Sequence, residues 1–444
     1  MDQELFNSLV GVIKDKKAFQ NTKMSVYDGS YQTESLGIAL PRNLDRKIQT
    51  KLPWGKVAVD NLLQDLSFDG FKNDKLGFTK ILKKYGGYRA IKSAQKNSMI
   101  GACSFLTILP GENGEPVFTV YTGAEGTGVW DSRHGFVAGL VENNRRVVST
   151  GTDVVEDYLF FRPGEVQLVS SSGEVLQSAD MPTDRMLFIP FIYGQDVAVN
   201  PFGESRLNAP FINALESGLR GQKNLDIASE INLSRGKVLL SEGALDNNSS
   251  IMVGDVKANV AELMMIKSVT GTTMKLEDLG TADINELRNT LESSAVNAAT
   301  AVSMTPTAFG FSPSNGSYSE GTLAALSKPY TKLVEDSQDD YGDTIKEVAV
   351  TAMSLATGQY FPEWEDIIPV FRSDLDVDRL GAVGDGLGKI LNLSGVNDAV
   401  SGFIDEKILG LSVAKDAMEV KLPDFRVARE AALKIGNSSN TKIV

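Results

Sequence analysis

The sequence predicts an α+β protein, and three observations predict it. Residues 102–170 break into short β-rich runs separated by Gly, Asn or Pro, the pattern of antiparallel strands joined by tight turns. Residues 203–358 follow another rhythm: helix, compact insert, helix, Gly/Ser/Pro loop, longer helix. Hydrophobic residues make up 42% and charged residues 23% of the 444, enough to bury a sizeable core in two to four domains or subdomains.

In chain order, residues 1 to about 50 read as polar and mixed, with a turn at Tyr27-Asp28-Gly29. Val57, Val59, Leu62, Leu63 and Leu66 place a helix that begins at Trp54 and ends near Asp69-Gly70. Helices are expected over 73–85 and 89–101. Strands are expected over 104–109, 117–122, 135–141, 145–149, 154–161 and 166–169, with hairpin turns at 111–114 and 142–144. A buried strand over 186–193 leads into Asn200-Pro201-Phe202-Gly203. In the central stretch, Leu207, Phe211, Leu215, Leu219 and Leu225 give one helical stripe over 205–231. Leu287, Leu291, Ala295, Ala298 and Ala301 give a second over 284–302. The insert between them, 232–281, reads as a small αβ module with strands at 237–240 and 264–269. A long helix over 322–356 carries Leu323, Leu326, Tyr330, Leu333, Val334, Tyr341, Ile345 and Val348, and Pro329 is expected to kink it. A strand over 366–371 is expected to return to the first unit. Residues 381–417 are Gly-rich and helical in patches, and 436–444 read as a frayed tail.

Composition narrows the function. The net charge is −13, from 57 acidic against 44 basic residues, which disfavours a protein that grips duplex DNA but not one that lets it pass. Cys103 is the only cysteine, so neither an intrachain disulfide nor a Cys-based zinc site can form. No basic segment followed by an apolar run marks a signal peptide. The most apolar run, 186–193, falls far short of the roughly 20 residues of a spanning helix. A reducing cytoplasm as the place of synthesis, and no membrane, are the expectations.

The candidate chemical motifs fail one by one. His134 is the sole histidine, so any Ser-His-Asp triad must use it, yet Asp131-Ser132-Arg133-His134-Gly135 reads as a solvent-facing turn. Cys103 opens an apolar strand and reads as a small core residue. The run Gly384 to Lys389 suggests a phosphate loop, but Val383 stands where the first Gly is required and Ile390 where Ser or Thr must hold magnesium. Asp374, Asp376 and Asp378 imitate half a calcium loop, but Arg379 occupies the Gly position and Asp385 the Glu position. No metal, no cofactor and no catalysis are therefore expected. Glu335, Asp336, Asp339, Asp340 and Asp343 cluster on the long helix as a solvated face, a source of salt bridges to a neighbouring subunit, or a wall that repels phosphate. Between Leu291 and Ser327 there is no Lys or Arg, and the loop in that window offers hydroxyls, amides and the expected aromatic tips Phe309, Phe311 and Tyr318.

The order of these features resembles the portal proteins of tailed bacteriophages, ring-shaped proteins at one capsid vertex through which DNA is packaged and released. The resemblance is carried by Tyr27-Asp28-Gly29, Trp54 leading into Val59-Asp60, Phe202-Gly203-Glu204-Ser205 opening the first central helix, Asn315 to Gly321 before the long helix, and Phe371-Arg372-Ser373. It implies a wing (1–202) with a return strand (358–378), two stem helices (203–231 and 282–302), a clip (232–281), a tunnel loop (303–320), a long kinked helix (321–357), a short crown (379–420) and a C-terminal tail (421–444). It further implies a homo-oligomeric ring, a dodecamer in the family, assembled in the host cytoplasm and carried in the virion. The implied partners are double-stranded DNA in the channel, the terminase large subunit, a head-completion or adaptor protein, and the major capsid and scaffolding proteins. The implied DNA-facing residues are Thr307, Phe309, Gly310, Phe311, Ser312, Ser314, Asn315 and Tyr318, and the implied stem residues are Leu215, Leu219, Leu287, Leu291 and Ala298. Small residues on the second stem helix, Ser293 to Ala301, would let neighbouring helices approach around the ring or serve packing within one subunit. A P-loop-like cytosolic enzyme and another virion ring or scaffolding protein are the competing readings.

Overall fold

The computed structural model describes residues 3–33, 50–143, 145–147, 153–234, 237–242, 264–268, 274–278, 284–311 and 320–372. The chain opens with a helix that the polar N-terminal composition conceals. Helix α1 (Gln3–Asp28) buries Phe6, Leu9, Ile13, Val26 and Tyr27, and with them Gln20 and Lys23. The two polar side chains are satisfied: Gln20 Nε2 donates to the Gly101 carbonyl at 2.7 Å, and the Lys23 amine donates to the Leu207 carbonyl. Gly29, at φ 75°, turns the chain out of the helix, a left-handed position that favours glycine.

Helix α2 (Trp54–Asp65) ends earlier than its apolar spacing suggests, because strand β1 (Ser67–Lys72) takes the next residues and turns Phe68 and Phe71 into the core. Helix α3 (Phe78–Lys84) starts five residues later than expected. The buried Asp74 carboxylate accepts from the amides of Gly77, Phe78 and Thr79 at 2.7–2.8 Å and fixes the start there. Helix α4 (Gly87–Gly101) follows.

Strands β2 (Cys103–Pro110) and β3 (Pro116–Thr122) come next, then β4 (Gly126–Asp131), β5 (Gly135–Glu142), β6 (Arg145–Val147), β7 (Asp153–Val155), β8 (Asp157–Arg162), β9 (Glu165–Ser170), β10 (Val175–Asp180) and β11 (Phe188–Ile192). The order β10-β9-β8-β5-β4 forms an antiparallel sheet, and β11-β2-β3 a second. Strands β6 and β7 pair with each other. Strands β4 and β10 were not anticipated: glycines and exposed polar residues mask their alternation. Phe6, Leu9 and Ile13 of α1 pack with Leu140, Tyr158 and Phe160 in a satellite core, while the main core joins α2, α4, β2 and β11 to the helices that follow.

Those helices are α5 (Ala209–Ser234), α6 (Ile284–Ala301) and α7 (Glu320–Thr357), with Pro329 inside α7. Between α5 and α6, β12 (Lys237–Glu242) pairs parallel with β13 (Met264–Ser268) and antiparallel with β14 (Met274–Asp278), which the sequence reading lacked. Strand β15 (Ile368–Arg372) does return to the first unit, pairing antiparallel with β1. The described chain is thus α+β. Among the described residues no helix is long and apolar enough to cross a membrane. The expected crown and tail, the Gly384 to Lys389 run and the Asp374 to Asp378 run lie outside the described residues.

Candidate functional site: the base of the α5–α6 helix pair

Among the described residues, the most extensive contact between two elements is α5 against α6. The pair is antiparallel. Asn208, just before α5, donates through Nδ2 to the carbonyl of Ala301 at the end of α6 at 3.3 Å, and Gly221 lies against Leu291. At 1.5 Å rise per residue α5 is about 39 Å long and α6 about 27 Å. Leu215, Leu219, Leu291 and Ala298 are buried, and Leu287 is half-buried. Ala295, Ala298 and Ala299 of the small-residue stripe are fully buried by packing within this one chain, whereas Ser293 is exposed. The outward faces are mixed: near the joint the exposed residues are uncharged, Asn213 and Ser217 on α5 and Ser293, Val296, Asn297 and Thr300 on α6, whereas farther from it Asp226 on α5 and Glu286 and Arg288 on α6 are exposed. Gly218 marks a close approach to α2, since a Cβ there would lie 2.5 Å from the Trp54 ring.

The segment Gly203 to Asn208 ties this pair to the rest of the chain. Ser205 donates through Oγ to the Ile100 carbonyl at 2.7 Å, and the Arg206 amide donates to the Met99 carbonyl at 2.9 Å. Asn208 caps α5 by accepting the Phe211 amide at 3.0 Å. The side chain of Arg206 is 3% exposed and divides its guanidinium among three acceptors. Nε donates to the Ala58 carbonyl at 2.6 Å, one terminal nitrogen to the Tyr193 hydroxyl at 3.0 Å and the other to the Val302 carbonyl at 2.9 Å. One buried cation thereby fastens α2, the end of β11 and the end of α6. Sequence reading missed it, because a single Arg between Ser and Leu carries no periodic signal. Lys23 braces the same segment from below; burial lowers its pKa, and Glu204 pulls in the opposite direction. Along α7, the Tyr330 hydroxyl donates to Asp65 at 2.7 Å, and burial first and that carboxylate second raise its pKa. Tyr341 shares a hydrogen bond with Ser98 at 2.7 Å.

The chain leaves α6 under tight control. Ser303 takes φ 56°, the Met304 amide returns to the Ala299 carbonyl at 2.9 Å, and a 3-10 turn (Pro306–Phe309) closes at Gly310 with φ 85°. Thr307 and Gly310 are exposed. Phe309 corrects the expectation of an aromatic tip: it is 6% exposed, with ring contacts to Trp54 at 5.8 Å and Phe211 at 6.4 Å. Phe311 is half-buried and meets the edge of Trp54 at 6.2 Å. The first part of the loop is therefore pinned to α2 by its aromatic residues, because burying two phenyl rings on an indole outweighs their exposure beside a polar ligand. Ser312, Ser314, Asn315 and Tyr318 lie outside the described residues.

A cleft of about 140 Å³ opens at this joint, lined by Tyr193, Glu204, Arg206, Asn208, Ser303 and Leu333. It is well below the roughly 300 Å³ at which small-molecule sites begin. His134 lies in an exposed turn with Nδ1 2.8 Å from Asp131 Oδ1. Cys103 is buried, and burial raises its thiol pKa. Among the described residues no group of three or more His, Cys, Asp or Glu side chains is placed to hold a metal.

No family model and no curated protein matches the chain. Solved structures similar to it come from gene transfer agent (GTA) particles. A chain in the virion of the native particle is 14% identical, with a TM-score of 0.42, over 85% of this chain and 96% of that one. A chain in the neck of the native particle, computed with C12 symmetry, is 12% identical with a TM-score of 0.45, over 91% and 99%. A chain in the neck of the empty particle, computed with C6 symmetry, is 15% identical with a TM-score of 0.43, over 86% and 97%. At these scores the likeness assigns no role to any residue of this chain.

Proposed function

We propose that this chain is the subunit of a portal-type ring, a conduit at one capsid vertex through which double-stranded DNA is packaged and released, without catalysis of its own. The observation that carries this reading is the antiparallel α5–α6 pair. It brackets a separate three-stranded sheet, is anchored at its base by a buried arginine, exposes uncharged residues near that base, and runs into a loop without Lys or Arg. A channel wall that translocates a polyanion must touch it without forming charge-assisted phosphate pairs, and the loop and the exposed residues near the base of the pair carry no Lys or Arg to form them. A ring of twelve copies would bring twelve times −13, or −156, formal charges, which opposes gripping. In this reading the β12–β14 sheet is the docking face for the terminase motor and later for head-completion proteins. Residues 312–319 contact DNA, whereas Phe309 and Phe311 hold the loop's root in place.

The test adds cations to the loop. Ser312→Lys with Ser314→Lys should slow packaging at low salt, and raising the ionic strength should restore the rate as the new phosphate pairs are screened. An unchanged low-salt rate would remove the loop from the channel.

A further inference from the structure

We infer that two oppositely charged surfaces of this chain dock on each other between adjacent copies: the cationic α3–α4 hairpin of one copy against the acidic face of α7 on the next. The inference rests on the ring reading and names its subunit interface. Residues 72–96 carry eight Lys and Arg against a single acidic residue, Asp74, in a chain whose net charge is −13. Asp74 is buried and spent on capping α3, so the hairpin shows solvent only positive charge. Lys72, Lys75, Lys83, Lys84, Arg89 and Lys92 are exposed. Among the described residues none of these six forms an ion pair with a carboxylate; Lys83 and Lys84 lie instead over the rings of Tyr88 and Tyr85.

The counter-surface is on α7. Asp336, Asp339, Asp340 and Asp343 face solvent while Tyr341, Ile345 and Val348 of the same helix are buried. Asp336, Asp339 and Asp340 form no ion pair among the described residues, and Asp343 has only Lys346 at 3.6 Å. The mutual repulsion is registered at Asp340, whose carboxyl pKa is raised by burial first and then by Asp336, Asp339 and Asp343. The six exposed cations, and Asp336, Asp339 and Asp340, thus have no oppositely charged partner among the described residues of the single chain, and every added copy supplies both surfaces. A head-to-tail contact that closes into a ring requires two different, complementary surfaces on each subunit. The hairpin could also attract a nucleic acid polyanion. The matched acidic face, and the chain's net negative charge, favour a second copy as the occupant.

Charge reversal tests this on the full-length protein by sedimentation velocity and native mass spectrometry. Variant K83E/K84E and variant D336K/D340K should each lower the association constant by about tenfold or more at low salt. Each should retain the parent's circular dichroism spectrum. An equimolar mixture of the two should recover assembly, because each then presents the partner the other lacks, and the recovered rings should hold even numbers of subunits. The four-site swap in one chain should recover assembly as well, which separates lost complementarity from misfolding. Rings that persist in both reversal variants would overturn this interface while leaving the ring itself standing. A parent protein that stays monomeric would overturn the ring reading instead. If K83E/K84E keeps its rings but loses binding to a double-stranded DNA fragment, the hairpin is a polyanion site and the interface is refuted.

Discussion

Arg206 allows the sharpest test of how the helix pair is held. Replacing it by Met keeps much of the stem's volume and removes every donor. The Ala58 and Val302 carbonyls and the Tyr193 hydroxyl each lose a partner at 2.6, 2.9 and 3.0 Å in a site that is 3% exposed. Hydrogen bonds from a charged donor contribute about 1.5–3 kcal/mol each, but Ala58 sits inside a helix and its carbonyl keeps a second lone pair for that ladder. Removing the unpaired-charge burden of the cation offsets part of the loss. The expected cost is therefore about 3–4 kcal/mol rather than the full sum of three bonds. Trp54 packs against Phe309, Phe311 and the Gly218 backbone, so its fluorescence reports this joint during urea denaturation. Arg206→Lys, with one donor group in place of the fork, should fall between parent and Arg206→Met. Limited proteolysis should show earlier cleavage within 303–311 in Arg206→Met, since Arg206 holds the Val302 carbonyl where the chain enters that segment. A cost below about 1 kcal/mol with unchanged cleavage would refute the role given to Arg206.

Further perturbations probe neighbouring parts. Phe309→Ala should cost about 3 kcal/mol by emptying the space between Trp54 and Phe211, while Phe309→Leu should cost under about 1.5; equal tolerance of both, by thermal melting, would mean the ring is not packed there. Gly218→Ala forces a methyl group against the Trp54 ring and should cost about 1–3 kcal/mol, read in the same denaturation assay, with near-neutral behaviour counting against the close approach. Asp340→Asn tests the acidic face of α7. A raised folded-state pKa means the native chain holds this proton more tightly than the unfolded one. The contribution is fully present below about pH 4 and is lost as pH rises through the folded value. The variant should gain on the parent as pH rises from about 4 to 7, and parallel melting profiles over that range would sink the assignment.

Much of the architecture was legible because its elements are long or strongly periodic. The stripes of Leu215, Leu219, Leu291 and Ala298 marked α5 and α6, and the run from Leu333 to Val348 marked α7. The start of α5 came later than its stripe suggested, at Ala209, because Ser205 and Arg206 are used to bind neighbouring carbonyls rather than to extend a helix. Helix α1 was hidden because its buried face includes Gln20 and Lys23, whose partners lie 81 and 184 residues away in sequence. Strand β1 was absorbed into the preceding helix, since only its pairing with β15, some 300 residues later, settles its conformation. The aromatic residues of the loop were visible, but their direction was not. Phe309 reads as exposed beside Gly and Thr, and only the position of Trp54 turns it inward. The joint around Arg206 is the clearest case of a site made by tertiary contact alone.

Electron microscopy of the purified full-length protein tests the central claim most directly. The account predicts annular particles with a central channel and a single rotational symmetry, twelvefold by the resemblance, whose population falls as salt screens the inferred charge pairing. A protein that remains monomeric at high concentration and low ionic strength, with no annular particles in the field, would contradict it.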